Sequence, residues 1–125
     1  MRVLFDQGTP DPLRESLTPH RVSTAYERGW SKLRNGELLD SAEREAYEVL
    51  VTTDTSLKYQ QNLTDRRIGI VVLLSTSCPR IQRVIPAVVA PIDAAVQGSY
   101  TEVEIPYGDA NELRMLGVEA AVAGR

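Results

Sequence analysis

The run Ile-Gly-Ile-Val-Val-Leu-Leu at residues 68–74 contains no polar side chain, so a strand built from it is apolar on both of its faces. Such strands are typical of parallel sheets that helices cover on both sides, whereas a strand with one solvated face alternates polar and apolar residues. The run therefore predicts an internal strand of a parallel sheet, and it requires other segments of the chain to form helices above and below it.

The rest of the chain supplies strand-like and helix-like segments in alternation. The apolar patterning predicts further strands at residues 2–5, 20–24, 48–53 and 99–105, the last of them at an edge of the sheet. Helical spacing predicts helices at 13–17, 37–46, 56–63 and 79–96, with a bend or break in the last because it contains Pro86 and Pro91. The predicted fold class is α/β, a three-layer α/β/α sandwich with a mainly parallel central sheet.

Length and composition fit one soluble globular domain, with 125 residues of which 42% are hydrophobic and 25% charged. We assign residues 1–105 to this domain and expect the tail at 106–125, which has helical apolar spacing, to dock on a partner or to be disordered. No apolar stretch reaches the roughly 18 to 20 residues that cross a bilayer. Asp6 comes too early for a signal peptide, and Cys78 is the single cysteine. These features predict a cytoplasmic protein without a membrane partner.

The net charge of −3 is concentrated in the middle of the chain, where residues 35–65 hold seven Asp or Glu against two Lys or Arg. The globally basic surface that commonly marks a nucleic-acid-binding protein is absent. This lowers the expectation of a nucleic-acid ligand without excluding it, because a metal ion and a local basic patch can neutralise phosphates.

Two of the predicted strands end in an aspartate, Asp6 after the first and Asp54 after the third. In an open parallel sheet, residues just past the carboxyl ends of neighbouring strands meet in one crevice, where such folds bind ligands. Two carboxylates placed there favour a divalent cation between them, and Mg²⁺ or Mn²⁺ prefers oxygen ligands of this kind. Glu37, at the start of a predicted helix, is a third acid for the site. Taken singly, each acid also has a structural interpretation, since the helix dipole alone favours an acid in a first turn.

A divalent cation at this edge would suit phosphodiester hydrolysis, because it activates water and stabilises charge on a phosphoryl group. An aspartyl-nucleophile phosphatase is less favoured, since Gly8 stands where that chemistry wants a second Asp. A dinucleotide site would need a glycine-rich turn after the first strand, and the residues 7–10, Gln-Gly-Thr-Pro, do not provide one.

Three segments together resemble a bacterial family of PIN-like domains, which are grouped with PIN ribonucleases. They are Arg-Val-Leu-Phe-Asp at residues 2–6 with Pro10, Asn-Gly-Glu-Leu-Leu at 35–39 with Ala42, and Leu-Val-Thr-Thr-Asp at 50–54. The resemblance spans roughly residues 1–105. It implies a fold in which acids at the carboxyl edge of the sheet bind Mg²⁺ or Mn²⁺ and cleave RNA, and many members are toxins paired with an antitoxin protein.

The resemblance also implies roles for individual residues. Asp6 and Asp54 match two of the family's acids, and Thr52 matches a threonine that supports the second of them. Asn35 stands where relatives often carry an aspartate, so Glu37 is the substitute acid, and Ser56 replaces the fourth. The implied catalytic and metal-binding set is therefore Asp6, Glu37 and Asp54, with Thr52, Asn35 and Ser56 in support.

Residues after Asp54 are candidates for contact with RNA, since Lys and Arg supply charge and Tyr a stacking face. These are Lys58, Tyr59, Asn62, Arg66 and Arg67. The alternative is a solvated helix whose tyrosine packs on the core.

Two other functions stay open. A PIN-like binding module that has lost catalysis could act through a protein partner or a homodimer, and a phosphate-handling enzyme could act on a small molecule.

Overall fold

The computed structural model describes residues 1–60 and 62–106. Within them the chain forms five strands, β1 (Arg2–Phe5), β2 (Arg21–Thr24), β3 (Val49–Thr52), β4 (Gly69–Leu73) and β5 (Tyr100–Val103). A 3-10 helix (Asp11–Leu17) and the helices α1 (Asn35–Arg44), α2 (Leu57–Gln60), α3 (Cys78–Gln82) and α4 (Ile85–Ala94) connect them. The predicted alternation of strands with helical segments is confirmed.

The strands form a single parallel sheet in the order β2-β1-β3-β4-β5. The chain leaves β1 toward β2 on one side and later returns to place β3 on the other side of β1, so the direction of winding reverses between β1 and β3. In doubly wound sheets the crevice at this reversal, outside the carboxyl ends of the strands, is the usual place for a ligand. Phe5 is in register with Thr24 of β2 and with Val51 of β3, so the three strands end nearly level.

Alternate residues of the strands feed two separate apolar cores, one on each face of the sheet. Val3, Phe5 and Val51 point into the core that the 3-10 helix, α3 and α4 cover, while Leu4 and Leu50 point into the core that α1 and α2 cover. Every residue of β4 is buried, as predicted for an internal strand covered on both faces. Helices therefore cover both faces, an arrangement compatible with the predicted three-layer sandwich.

The prediction of a helical segment at residues 79–96 with a bend or break in it is confirmed. The segment is two helices, α3 and α4, that separate between Gln82 and Ile85. Pro86 lies in the first turn of α4, where its missing N–H has no partner to lose, and Pro91 lies inside α4. The break falls at Arg83 and Val84, because in a continuous helix Pro86 would have no N–H to donate to the Gln82 carbonyl oxygen and its ring would clash with that carbonyl.

Two other predicted helices differ from the structure. Residues 13–17 belong to a 3-10 helix, and the helix predicted at 56–63 is the single turn α2. The strand β5 lies at an edge, as predicted. Within the described ranges no helix has the length and apolarity needed to cross a membrane. The predicted tail falls, apart from Pro106, on residues 107–125, which lie outside the described part of the chain.

Candidate functional site

Asp6 and Thr52 meet in the crevice between β1 and β3. Thr52, whose side chain is buried, donates its hydroxyl hydrogen to Asp6 Oδ2 over 2.8 Å. The Asp6 N–H donates to the Val51 carbonyl oxygen at 2.9 Å, which continues the β1–β3 ladder by one residue. Asp6 Oδ1 accepts from the Gln7 N–H at 2.7 Å. The first aspartate is therefore held at both its backbone and its carboxylate.

The same threonine hydroxyl also holds the second aspartate, because the Asp54 N–H donates to Thr52 Oγ1 at 3.1 Å. Thr52 is thus a bridge, donating to the carboxylate of Asp6 and accepting from the backbone of Asp54. Gly8, in the turn after β1, lies so close to Thr53 that a Cβ there would collide with the Thr53 hydroxyl. The loops after β1 and β3 therefore pack against each other, and the structure brings Asp6 and Asp54 to one place.

Asp54 is enclosed by polar neighbours. Its Oδ1 accepts from the Ser56 hydroxyl at 2.7 Å and from the Ser56 N–H at 2.9 Å, and its Oδ2 accepts from Asn35 Nδ2 at 2.9 Å. Gln60 closes a ring, since its Oε1 accepts from Asn35 Nδ2 and its Nε2 donates to Ser56 Oγ. Asn35 and Ser56, which were predicted in supporting roles, are therefore hydrogen-bond partners of Asp54.

These contacts set the ionisation of Asp54. The Ser56 hydroxyl, followed by the Ser56 N–H and the Asn35 amide, stabilises the charged form and holds the pKa of Asp54 below its ordinary value, against partial burial, which raises it. The carboxylate is consequently ionised at neutral pH and acts only as an acceptor.

Glu37 lies in the first turn of α1, and its Oε1 accepts from the Arg34 N–H at 3.2 Å. This is the contact that a glutamate makes in a capping box, where it satisfies a backbone donor at the start of a helix. Among the described residues no group of three or more His, Cys, Asp or Glu side chains is arranged to hold a metal ion. The structure therefore joins Asp6 with Asp54, and it places Glu37 in a capping contact.

The oxygens still open to a ligand can be counted, since each carboxylate oxygen accepts up to two hydrogen bonds. Within the described residues both Asp6 oxygens accept one bond each, so each retains one position. Asp54 Oδ1 accepts two and Oδ2 one, so only Oδ2 retains a position. Each aspartate therefore keeps at least one oxygen position open to a ligand, and Asp6 is the more open of the two.

A cleft of about 430 Å³ opens beside Asp6, toward β2. Its walls come from the segments that follow β1 and β2, with Asp6, Gln7, Thr9 and Asp11 on one side and Thr24, Tyr26 and Glu27 on the other. Tyr26 and Glu27 were not among the predicted site residues. The pattern Thr24-x-x-Glu27, a capping-box signature directly after a strand, is the signal that places them at this edge of the sheet.

The residues predicted to contact RNA divide into two groups. Lys58 and Tyr59 lie on α2, where Lys58 pairs with Glu102 at 3.0 Å and the Tyr59 ring, 79% exposed, does not pack on the core. Asn62 donates to Asp65 at 2.8 Å, Arg66 pairs with Asp40 and Glu43 of α1, and the Arg67 N–H donates to Glu43 at 3.1 Å. The first group is therefore presented to solvent, whereas Arg66 fastens the segment before β4 to α1.

Comparisons with protein-family models, with curated proteins and with solved structures find no match to this chain.

Proposed function

We propose that the protein is a metal-dependent ribonuclease with a PIN-like domain, in which Asp6 and Asp54 hold Mg²⁺ or Mn²⁺. The observation that carries this proposal is the Thr52 hydroxyl, which fixes both aspartates at the crevice where the sheet reverses its winding. Carboxylate oxygens are the ligands that a hard divalent cation prefers, and this crevice brings two aspartates together. As for members of the resembled family, we propose a cytoplasmic toxin of a toxin-antitoxin pair.

When bound, the cation would lower the pKa of a water molecule and stabilise the charge that grows on the phosphoryl group. The chain's own residues do the rest. Thr52 fixes the spacing of the two acids, while Ser56 and Asn35 keep Asp54 charged and oriented. Asp6, whose two oxygens each retain an open position, is the better placed of the two to accept a hydrogen from the attacking water. The new P–O bond forms to that water as the bond to the leaving ribose oxygen breaks, and the leaving oxygen takes a proton from solvent water.

In this proposal Glu37 would be the third acid that binds the cation, and it would lose its capping hydrogen bond. To bind the cation its carboxylate would give up the hydrogen bond to the Arg34 N–H, which would then face solvent without a partner at the start of α1. Replacement by glutamine separates these roles, because glutamine also serves in a capping box.

RNA cleavage by the purified protein tests the proposal. With Mn²⁺ or Mg²⁺ we expect cleavage that Asp6→Asn and Asp54→Asn each reduce by at least about a hundredfold. The control is Asp65→Asn, which removes an exposed carboxylate in the segment that leads into the opposite end of β4. Unchanged cleavage in both crevice variants would rule out the mechanism.

A second function is favoured by the crowding around Asp54. Three of its four acceptor positions are filled by Ser56 and Asn35, and the described residues offer no third acid beside it. The corresponding proposal is a PIN-like binding module with weak or absent catalysis, which acts through a protein partner or a homodimer. A folded wild-type protein that leaves RNA intact and binds no Mn²⁺ at millimolar concentration would establish this alternative over the ribonuclease.

A further inference from the structure

Asp6 is the one proposed metal ligand that lines the cleft, and the other lining residues have no role in holding the proposed cation. The cleft's volume of about 430 Å³ lies within the roughly 300–1,000 Å³ of sites that bind small organic groups. Asp54 does not line it, so the cleft extends from the crevice toward β2. An RNA substrate whose phosphodiester lies at Asp6 therefore has room in this cleft for the adjacent nucleoside.

Tyr26 stands at the wall of the cleft with 77% of its surface exposed. The backbone of its turn is nevertheless held by hydrogen bonds. The Thr24 N–H donates to Glu27 Oε1 at 2.9 Å and the Glu27 N–H donates to Thr24 Oγ1 at 3.0 Å, while the Ala25 N–H donates to the Phe5 carbonyl oxygen at 2.8 Å. An aromatic ring on a backbone fixed in this way loses little conformational entropy when a flat group stacks on it.

The charges of the cleft favour a nucleobase over a phosphate. Arg14 Nε donates to Asp11 Oδ1 at 2.6 Å, and Arg14 Nη2 lies 3.1 Å from Glu27 Oε2. The Thr24 N–H and Arg14 hold the pKa of Glu27 below its ordinary value, so this carboxylate only accepts hydrogen bonds. Asp11 and Glu27 thus share the Arg14 guanidinium, and both keep acceptor oxygens at the wall of the cleft. These oxygens repel phosphate and suit the exocyclic amino group of a base.

We propose that this cleft is a nucleobase subsite, in which a base with an exocyclic amino group stacks on Tyr26 and donates to Asp11 or Glu27. The inference rests on the proposed ribonuclease function, since it assigns a base preference to the nucleotide beside the scissile phosphodiester. Uracil lacks the amino group, and its one donor on this edge, N3–H, lies between two carbonyl oxygens that the carboxylates repel. Cytosine is therefore preferred over uracil.

Binding of short fluorescent oligocytidylate and oligouridylate, measured with metal chelated so that no cleavage occurs, tests the subsite separately from catalysis. We expect the wild-type protein to bind oligocytidylate about tenfold more tightly than oligouridylate. Tyr26→Ala should weaken oligocytidylate binding about tenfold, as expected for the loss of one base stacked on an aromatic ring. Tyr26→Phe keeps the ring and should bind within about twofold of wild type. Asp11→Asn, at an exposed side chain, should reduce the preference for cytosine.

Val96→Ala is the control, because Val96 is an exposed apolar side chain like Tyr26 but lies between α4 and β5 and does not line the cleft. It should leave the ratio of the two affinities unchanged, and circular dichroism should show both alanine variants folded. Equal affinity for the two oligonucleotides, binding of neither, or an unchanged ratio in folded Tyr26→Ala would overturn the subsite, even if Mn²⁺-dependent cleavage is intact. A Tyr26-dependent preference in a protein that cleaves no RNA would support the subsite and overturn the ribonuclease.

Discussion

Thr52 is expected to affect both aspartates, because its buried hydroxyl donates to the Asp6 carboxylate and accepts from the Asp54 N–H. Thr52→Val keeps the shape of the side chain and leaves the Asp54 N–H and one Asp6 oxygen without their partner. We expect a loss of about 1–3 kcal/mol in the free energy of unfolding, measured by denaturant titration. RNA cleavage should fall as well.

Thr52→Ser is the control for that substitution, since it restores the hydroxyl and removes only a methyl group. It should recover most of the cleavage activity. Valine and serine variants with equal activity would show that the hydroxyl does not position the two acids.

Ser56 controls the ionisation of Asp54 at the residue scale. Ser56→Ala removes the hydroxyl that contributes most to the lowered pKa, so the pKa of Asp54 should rise toward its ordinary value. Carboxyl resonances followed by NMR through an acid titration measure this directly. Thr64→Ala, which removes a hydroxyl that donates to Asn62, is the control and should leave the pKa of Asp54 unchanged.

The sign of the accompanying stability change follows from linkage. A pKa that folding lowers contributes stability that is fully present above the ordinary pKa of an aspartate and is lost as pH falls through the lower pKa of the folded state. The destabilisation by Ser56→Ala should therefore be largest at neutral pH and shrink in acid. An effect of equal size at all pH values would assign Ser56 a role in packing alone.

At the scale of elements, substitutions at the start of α1 can separate a structural role of Glu37 from a catalytic one. Glu37→Ala removes the acceptor for the Arg34 N–H and should cost about 0.3–1.5 kcal/mol of stability, measured by thermal or denaturant unfolding. Glu37→Gln should retain that stability. If glutamine also retains cleavage, Glu37 is only a cap, whereas loss of cleavage at full stability would make its carboxylate a ligand.

The strands and helices could be predicted where the spacing of apolar residues along the sequence defines them. The apolar run at residues 68–74 defines β4 because both of its faces are buried, and the helical spacing of Leu38, Leu39 and Ala42 defines the buried face of α1. The division between α3 and α4 was only partly predictable. Pro86 signals an interruption, but whether the chain bends through it or restarts depends on how both segments pack on the sheet.

At the scale of the whole molecule, the alternation of strands and helices along the sequence does not define the order of the strands in the sheet. The sequence indicates that Asp6 and Asp54 follow strands, and the structure adds that β1 and β3 are neighbours in register, with the winding reversed between them. Thr52, Asn35 and Ser56 were predicted to support the site, but the contacts that these side chains make could not be predicted for the same reason. Asn35 reaches Asp54, and Gln60 bonds Asn35 and Ser56, because α1 and α2 cover the same face. Tyr26 and Glu27 join the site because β2 lies on the other side of β1.

A calorimetric titration of the metal-free protein with Mn²⁺ tests the central claim that Asp6 and Asp54 share a divalent cation. We predict binding of one ion per chain at submillimolar to millimolar concentration, abolished in Asp6→Asn and Asp54→Asn and retained in Asp65→Asn. No heat of binding at millimolar Mn²⁺ in the folded wild-type protein, or equal binding in all three variants, would contradict it.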